Sequence, residues 1–155
     1  SKFGPHLILR IYALSGRFMH TPKRFALGDF LGSAIRREAI CLESSHPVSR
    51  SYANAGDINA FAWSWLLDVN PKIYNKNIAA VSFTTDLLSL AKEISTLYSL
   101  PPVKHHLQEG ALPDLYISDA KPFRDALAHY GLTAKSLKEQ LVETYEGLVK
   151  VEGKN

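Results

Sequence analysis

His6-Leu7-Ile8-Leu9-Arg10-Ile11-Tyr12-Ala13-Leu14 is the stretch on which the fold class turns. It is nearly continuously apolar, as a strand buried on both faces would be. Leu7, Ile11, Leu14 and Phe18 also fall on one helical face, and the length of the segment favours helix. Ile78 to Phe83 carries the same ambiguity, as a short strand or as the first turns of the helix that follows.

Working outward, the other periodic segments read as helix. Leu87, Leu90, Ala91, Ile94, Leu97 and Tyr98 repeat at helical spacing. Thr84 or Thr85 caps that helix, Asp86 falls in its first turn, and Pro101-Pro102 ends it. Leu137, Leu141, Tyr145 and Leu148 form a second stripe, capped by Thr133. Ile58, Phe61, Ala62, Trp65 and Leu66 form a third, capped by Asp57. Phe123, Ala126, Leu127 and Tyr130 form a fourth, with Asp119 as its cap and Gly131 where a C-cap needs positive φ. Asp29 caps a fifth, with Phe30, Ala34 and Cys41 on one side. Glu43 to Gly56 and Pro101 to Pro113 are turn-rich and read as loops. The expected fold is a single all-α bundle of five or six helices over residues 1–155. The alternative is an α+β domain with a short strand near residues 6–14 or 78–83.

Composition narrows the class. The chain has 155 residues and 46% apolar content, enough for one core and incompatible with wholesale disorder. No apolar run approaches the ~20 residues of a membrane-spanning helix. A single cysteine, Cys41, excludes an intrachain disulfide and fits a reducing, cytoplasmic compartment. The chain begins at Ser1 rather than methionine, as a processed or partial N-terminus would. Its 18 basic and 15 acidic residues give +3, which tolerates a polyanionic partner without demanding one.

Phe123-Arg124-Asp125-Ala126-Leu127-Ala128-His129-Tyr130-Gly131 is the string richest in chemistry. Arg124 and His129 sit about 140° apart on a helix, so they border one groove only if a partner helix lies between them. Histidine moves protons near neutral pH, and arginine matches phosphate geometry. The string Arg-Asp-Ala-Leu-Ala-His resembles the Arg-(Asn/Asp/His)-x-x-x-His signature of HEPN domains, helical ribonucleases of toxin–antitoxin, phage-defence and CRISPR systems. The order of long helix, loop, signature helix and final helix is similar too. The resemblance implies a metal-independent endoribonuclease in which Arg124 and His129 are the catalytic pair and Asp125 orients them. It implies RNA as substrate, a homodimer with a composite cleft, and an antitoxin or other protein as a partner. Gly131 stands where one subfamily has tyrosine, and residues up to Asn75 match nothing in the family. Without that chemistry, Arg124 is a solvated ion-pairing residue and His129 a favourable charge at a helix end.

Arg36 and Arg37, with Lys23 and Arg24 near them in sequence, are candidates for phosphate contact, as is Lys121. A solvated helix face explains the arginines equally well. Asp114, Asp119 and Lys121 echo a metal-dependent nuclease, but their spacing is short. Arg10, Ser44-Ser45 and Glu109 follow the order of some ADP-ribosyltransferases. Neighbouring His105 and His106 lack a third ligand. Cys41 reads as a buried structural thiol, and of Trp63 and Trp65 one should be core and one near a surface. Thr133 to Val142 could act as a recognition helix, though an ordinary helical hairpin fits better. Neither metal nor cofactor is expected. The rival to the RNA-acting reading is a non-catalytic helical module binding protein or nucleic acid.

Overall fold

The computed structural model describes residues 4–74 and 76–152. Ser1, on which the reading of the N-terminus rests, lies outside them, as does Asn75. The chain is α/β. It runs β1 (Leu7–Ile11), β2 (Ala13–Ser15), α1 (Ala26–Arg36), β3 (Val48–Asn54), α2 (Ala55–Leu67), β4 (Lys76–Ala80), β5 (Phe83–Asp86), α3 (Leu87–Leu97), β6 (Asp114–Tyr116), α4 (Lys121–His129) and α5 (Leu137–Glu152). The all-α bundle is thereby overturned. Both ambiguous stretches are extended, and each divides into two strands.

β1 and β4 pair in parallel, with Leu9 opposite Ile78. The second sheet is organised by β3. β5 runs antiparallel to it from Ser49 to Tyr52. β6 pairs in parallel with residues 48–50, and β2 in parallel with residues 52–54. A strand has only two edges, so β6 and β2 must share the one that β5 leaves, end to end. Tyr116 closes β6 and Tyr12 precedes β2; their rings meet at that seam with centroids 4.5 Å apart.

The segment read as a loop, Glu43 to Gly56, holds this central strand. Two of its polar residues, Ser51 and Asn54, are buried and bonded inside. Ser51 Oγ lies 2.7 Å from Thr84 Oγ1 and accepts from the Ser118 amide at 2.9 Å. Ser51, of a residue type that often marks turns, therefore serves here as an internal tie.

The helices fall close to the expected positions, but several caps differ. Thr84 and Thr85 belong to β5, and Asp86 is the N-cap of α3, its carboxylate accepting from the Ser89 amide at 2.8 Å. Asn54, not Asp57, caps α2. Phe25 precedes α1, Asp29 lies in its first turn, and Cys41 falls beyond it. Asp119 accepts from the Lys121 amide just before α4, while Gly131 takes φ +69° past its end, as a helix stop requires. Thr133 stands before α5 rather than starting it, so residues 133–136 form no recognition helix.

Two apolar clusters hold the molecule. One joins Leu27, Phe30 and Leu31 of α1 with Leu90 and Ile94 of α3 and Leu141 of α5. The other places Ile58 and Phe61 of α2 and Phe123 and Leu127 of α4 against Ile78 and Ala80 of β4. Phe61 and Phe123 meet edge to face at 5.7 Å. Cys41 is exposed, which corrects its reading as a buried thiol. No described helix is long and apolar enough to cross a membrane.

Candidate ligand-binding cleft

A cleft of about 630 Å³ opens where β1 and β2 end. The ends of parallel strands are where open α/β sheets usually bind ligands. The loop Gly16–His20 forms one wall, the start of α2 another, and Arg50 and Tyr116 a third.

Behind Ser15, Gly16 and Glu143, which line the cleft, a polar network fastens β2 and β3 to α5. Ser15 Oγ donates to Gln140 Oε1 at 2.5 Å, and the Gly16 amide donates to Thr144 Oγ1 at 2.8 Å. Asn54 Nδ2 donates to Glu143 Oε2 at 2.9 Å. Lys135 Nζ donates to Asp57 Oδ1 at 2.8 Å. Ser15, Asn54, Asp57, Gln140 and Thr144 are all buried. Buried polar groups that satisfy one another set a rigid geometry. Here they fix Gly16 and Glu143 at the cleft wall.

Arg50 is the best-positioned cation at the opening. Its Nη2 donates to Asp114 Oδ2 at 2.5 Å, and its Nη1 donates to the Ser49 carbonyl at 2.9 Å. That hydrogen bond holds the Asp114 carboxyl below its ordinary range. The Tyr12 phenol is held below its usual value by the Ser118 side chain first and by Arg10 second. Arg17 and His20 add cationic or polar groups, and Asn59 an amide. The site thus offers a fixed guanidinium beside an aromatic pair, a combination suited to an anionic group joined to a ring.

None of the residues expected from the Arg124–His129 motif lines this cleft. The Arg124 guanidinium donates to the Ser82 carbonyl, between β4 and β5. His129 borders a separate depression of about 570 Å³ with Lys76, Lys121 and Asp125. Asp125 orients neither member of the pair, because it bonds Lys121 at 2.5 Å, one turn away. Lys121, Asp125 and His129 therefore come together and Arg124 stays apart. Arg36 pairs with Glu38 at 2.8 Å, and Arg37, in a left-handed conformation at φ 62°, donates to the Tyr98 carbonyl at 2.9 Å. Both serve the end of α1. Among the described residues, no three His, Cys, Asp or Glu side chains gather to hold a metal. Arg50, Tyr12, Tyr116 and Glu143 went unrecognised in the sequence, since they converge only once β6 is laid end to end with β2.

No protein-family model and no curated protein sequence matches the chain. Solved structures share its fold. UDP-glucuronic acid 4-epimerase from Bacillus cereus, in complex with UDP-glucuronic acid and NAD, matches with TM-score 0.69 and 14% identity over 95% of this chain. UDP-glucose 4-epimerase from Thermotoga maritima, with UDP-glucose, gives 0.62 and 18% over 95%. dTDP-glucose 4,6-dehydratase from Bacillus anthracis, in complex with NAD, gives 0.64 and 11% over 93%. The chain spans only 46%, 47% and 44% of those three proteins. These likenesses show an α/β fold that the chain shares with part of each of those structures. The ribonuclease reading and its helical-module rival both required a helical bundle, and both are withdrawn.

The described residues do not fit the NAD that this fold carries elsewhere. A dinucleotide needs a glycine-rich turn from strand to helix, with the helix amides facing the pyrophosphate. β1 runs into β2 rather than into a helix. The two direct strand-to-helix turns are closed by their own side chains: Asn54 Oδ1 takes the Gly56 and Asp57 amides, and Asp86 takes that of Ser89.

Proposed function

We propose that this chain holds the sugar-nucleotide substrate in an epimerase- or dehydratase-like system, while the nicotinamide cofactor is held by residues other than these. The observation that carries the reading is Arg50, clamped by Asp114 beside the Tyr12–Tyr116 ring pair in a cleft of about 630 Å³. A cleft of that size suits a cofactor-sized ligand. The guanidinium is matched to a diphosphate, the rings to a base or a sugar face. Asn59 and Glu143 are matched to sugar hydroxyls. The shared fold with proteins solved with UDP-glucuronic acid and UDP-glucose supports the assignment.

Calorimetric titration with UDP-glucose and UDP-glucuronic acid tests it. Saturable binding is expected, weaker by about tenfold to a hundredfold in Arg50→Ala, the range for losing a charge-assisted hydrogen bond. Binding no tighter than that of uridine, or unchanged in Arg50→Ala, overturns the reading.

A further inference from the structure

Resting on the proposed function for the nucleotide itself, we infer that Glu143 selects the sugar. The cleft takes a nucleotide whose sugar is neutral and presents a hydroxyl to this residue, and it rejects one that presents a carboxylate there.

β3 sets the order of groups along the cleft. Tyr116 pairs with Arg50 on that strand, and Ser15 pairs with Asn54 further along it. The step from Arg50 to Asn54 is about 13 Å, at the ~3.3 Å that each strand residue rises. Asn54 Nδ2 donates to Glu143 Oε2 at 2.9 Å. With the base on the Tyr12–Tyr116 rings and the diphosphate on Arg50, the sugar is carried on towards Gly16, Asn59 and Glu143.

Glu143 brings a negative charge to that end. Lys135 Nζ donates to Asp57 Oδ1 at 2.8 Å and to Asn54 Oδ1 at 3.1 Å. The Lys135 amide donates to the other Asp57 oxygen at 2.8 Å, so both oxygens of that carboxylate are engaged. Glu143 is the less compensated acid. Its Oε2 lies 3.6 Å from Lys135 Nζ, too far for a good hydrogen bond, and among the described residues no donor reaches its Oε1. Asp57 and Glu143 set against Lys135 leave a net negative charge, and of the two acids Glu143 is the one that lines the cleft.

An ionised carboxylate only accepts hydrogen bonds. A sugar hydroxyl can donate to it. A second carboxylate cannot, and like charges brought together away from bulk water repel. Lys135 does not relieve that clash, because its ammonium is already turned to Asp57, Asn54 and Glu143. The Asn59 amide both donates and accepts, so it does not choose between the two sugars. Arg17, on the Gly16–His20 wall, is the one feature that favours an acidic sugar. It is exposed and therefore screened by water and salt, whereas the Glu143 side chain is only 22% exposed.

Titration calorimetry on the 155-residue chain tests this with UDP-glucose and UDP-glucuronic acid, whose sugars differ only in a hydroxymethyl group against a carboxylate. Wild type should bind UDP-glucose at least about tenfold more tightly. In Glu143→Gln, which keeps the shape and an acceptor for Asn54, the ratio should shrink to about threefold or less, chiefly through tighter binding of the uronate. A wild-type ratio below about threefold, a reversed ratio, or one that moves in Arg17→Ala and not in Glu143→Gln overturns the inference and leaves the nucleotide reading standing. Binding of neither compound defeats that reading and the selection by Glu143 with it.

Discussion

Lys135 Nζ lies 2.8 Å from Asp57 Oδ1, so an ion pair with a buried carboxylate joins the first turn of α2 to the approach to α5. The Lys135 amide donates to the other carboxylate oxygen, also at 2.8 Å, and Glu143 lies 3.6 Å from the ammonium. Lys135→Met leaves Asp57 charged and half-satisfied. Stranding a buried charge typically costs about 3–5 kcal/mol. A third of the Lys135 side chain reaches solvent, so a loss of about 2 kcal/mol is expected, read from the urea midpoint at constant slope. Burial alone would lower the Lys135 pKa, but Asp57 first and then Glu143 outweigh it, and the net shift is upward. The stabilisation is therefore complete below the ordinary lysine range and is lost as pH rises through the raised value. Wild type should lose more stability than Lys135→Met between pH 9 and pH 12.

This pair also indicates what a linear reading can reach. Leu90 and Ile94, or Leu141 and Leu148, declare a helix because one face meets the core and the other meets water. β3 gives no such signal. Ser51, Tyr52, Ala53 and Asn54 are all buried, so no alternation marks the strand. Two of them are polar because they bond across the sheet or cap α2. β6 has only three residues, all exposed, and exists through its pairing with β3. The cleft depends on both strands and was illegible for the same reason. The Arg124 string is continuous in sequence, yet its arginine and histidine serve different neighbourhoods.

Arg50 and Asp114 yield a prediction about pH. The Asp114 carboxyl is held below its ordinary value of 3.8, so the clamp is present above that value and lost as pH falls through the lowered one. Sugar-nucleotide affinity should stay level from pH 7 to pH 5 as far as Asp114 is concerned. Asp114→Asn keeps the shape but removes the charge. It should weaken binding at every pH in that range, by about threefold to tenfold, through a less fixed Arg50. Titration calorimetry at three pH values checks both statements.

Arg124 and His129 separate cleanly by stability. Removing the Arg124 guanidinium strips the Ser82 carbonyl of its donor beside the turn into β5. Arg124→Ala should cost about 1 kcal/mol, with Arg124→Lys in between. His129 packs its ring edge against Tyr130, with centroids 5.0 Å apart, on an exposed helix end. His129→Ala should stay within about 0.5 kcal/mol of wild type. Thermal unfolding of the three variants side by side decides this.

Gly147 links the fold to the cleft most directly. It is buried in α5, and a Cβ there would run into the Arg17 carbonyl oxygen and come within 2.7 Å of the Arg17 Cα. The obstacle is backbone, so no rotamer change relieves it. The missing side chain lets the Gly16–His20 wall lie against α5, where the Gly16 amide reaches Thr144. In an open helix, alanine for glycine would gain about 1 kcal/mol. Here the forced displacement should reverse the sign, for a net loss of about 1–3 kcal/mol. Because the displaced loop carries Arg17 and Phe18 into the cleft wall, sugar-nucleotide affinity should fall in the same variant. Gly32→Ala on α1 is the contrast, since its Cβ would meet only the movable end of Arg36, at 3.2 Å. It should be neutral or stabilising and leave binding unchanged. If Gly147→Ala binds as tightly as wild type while losing stability, the wall is not held in place by its approach to α5.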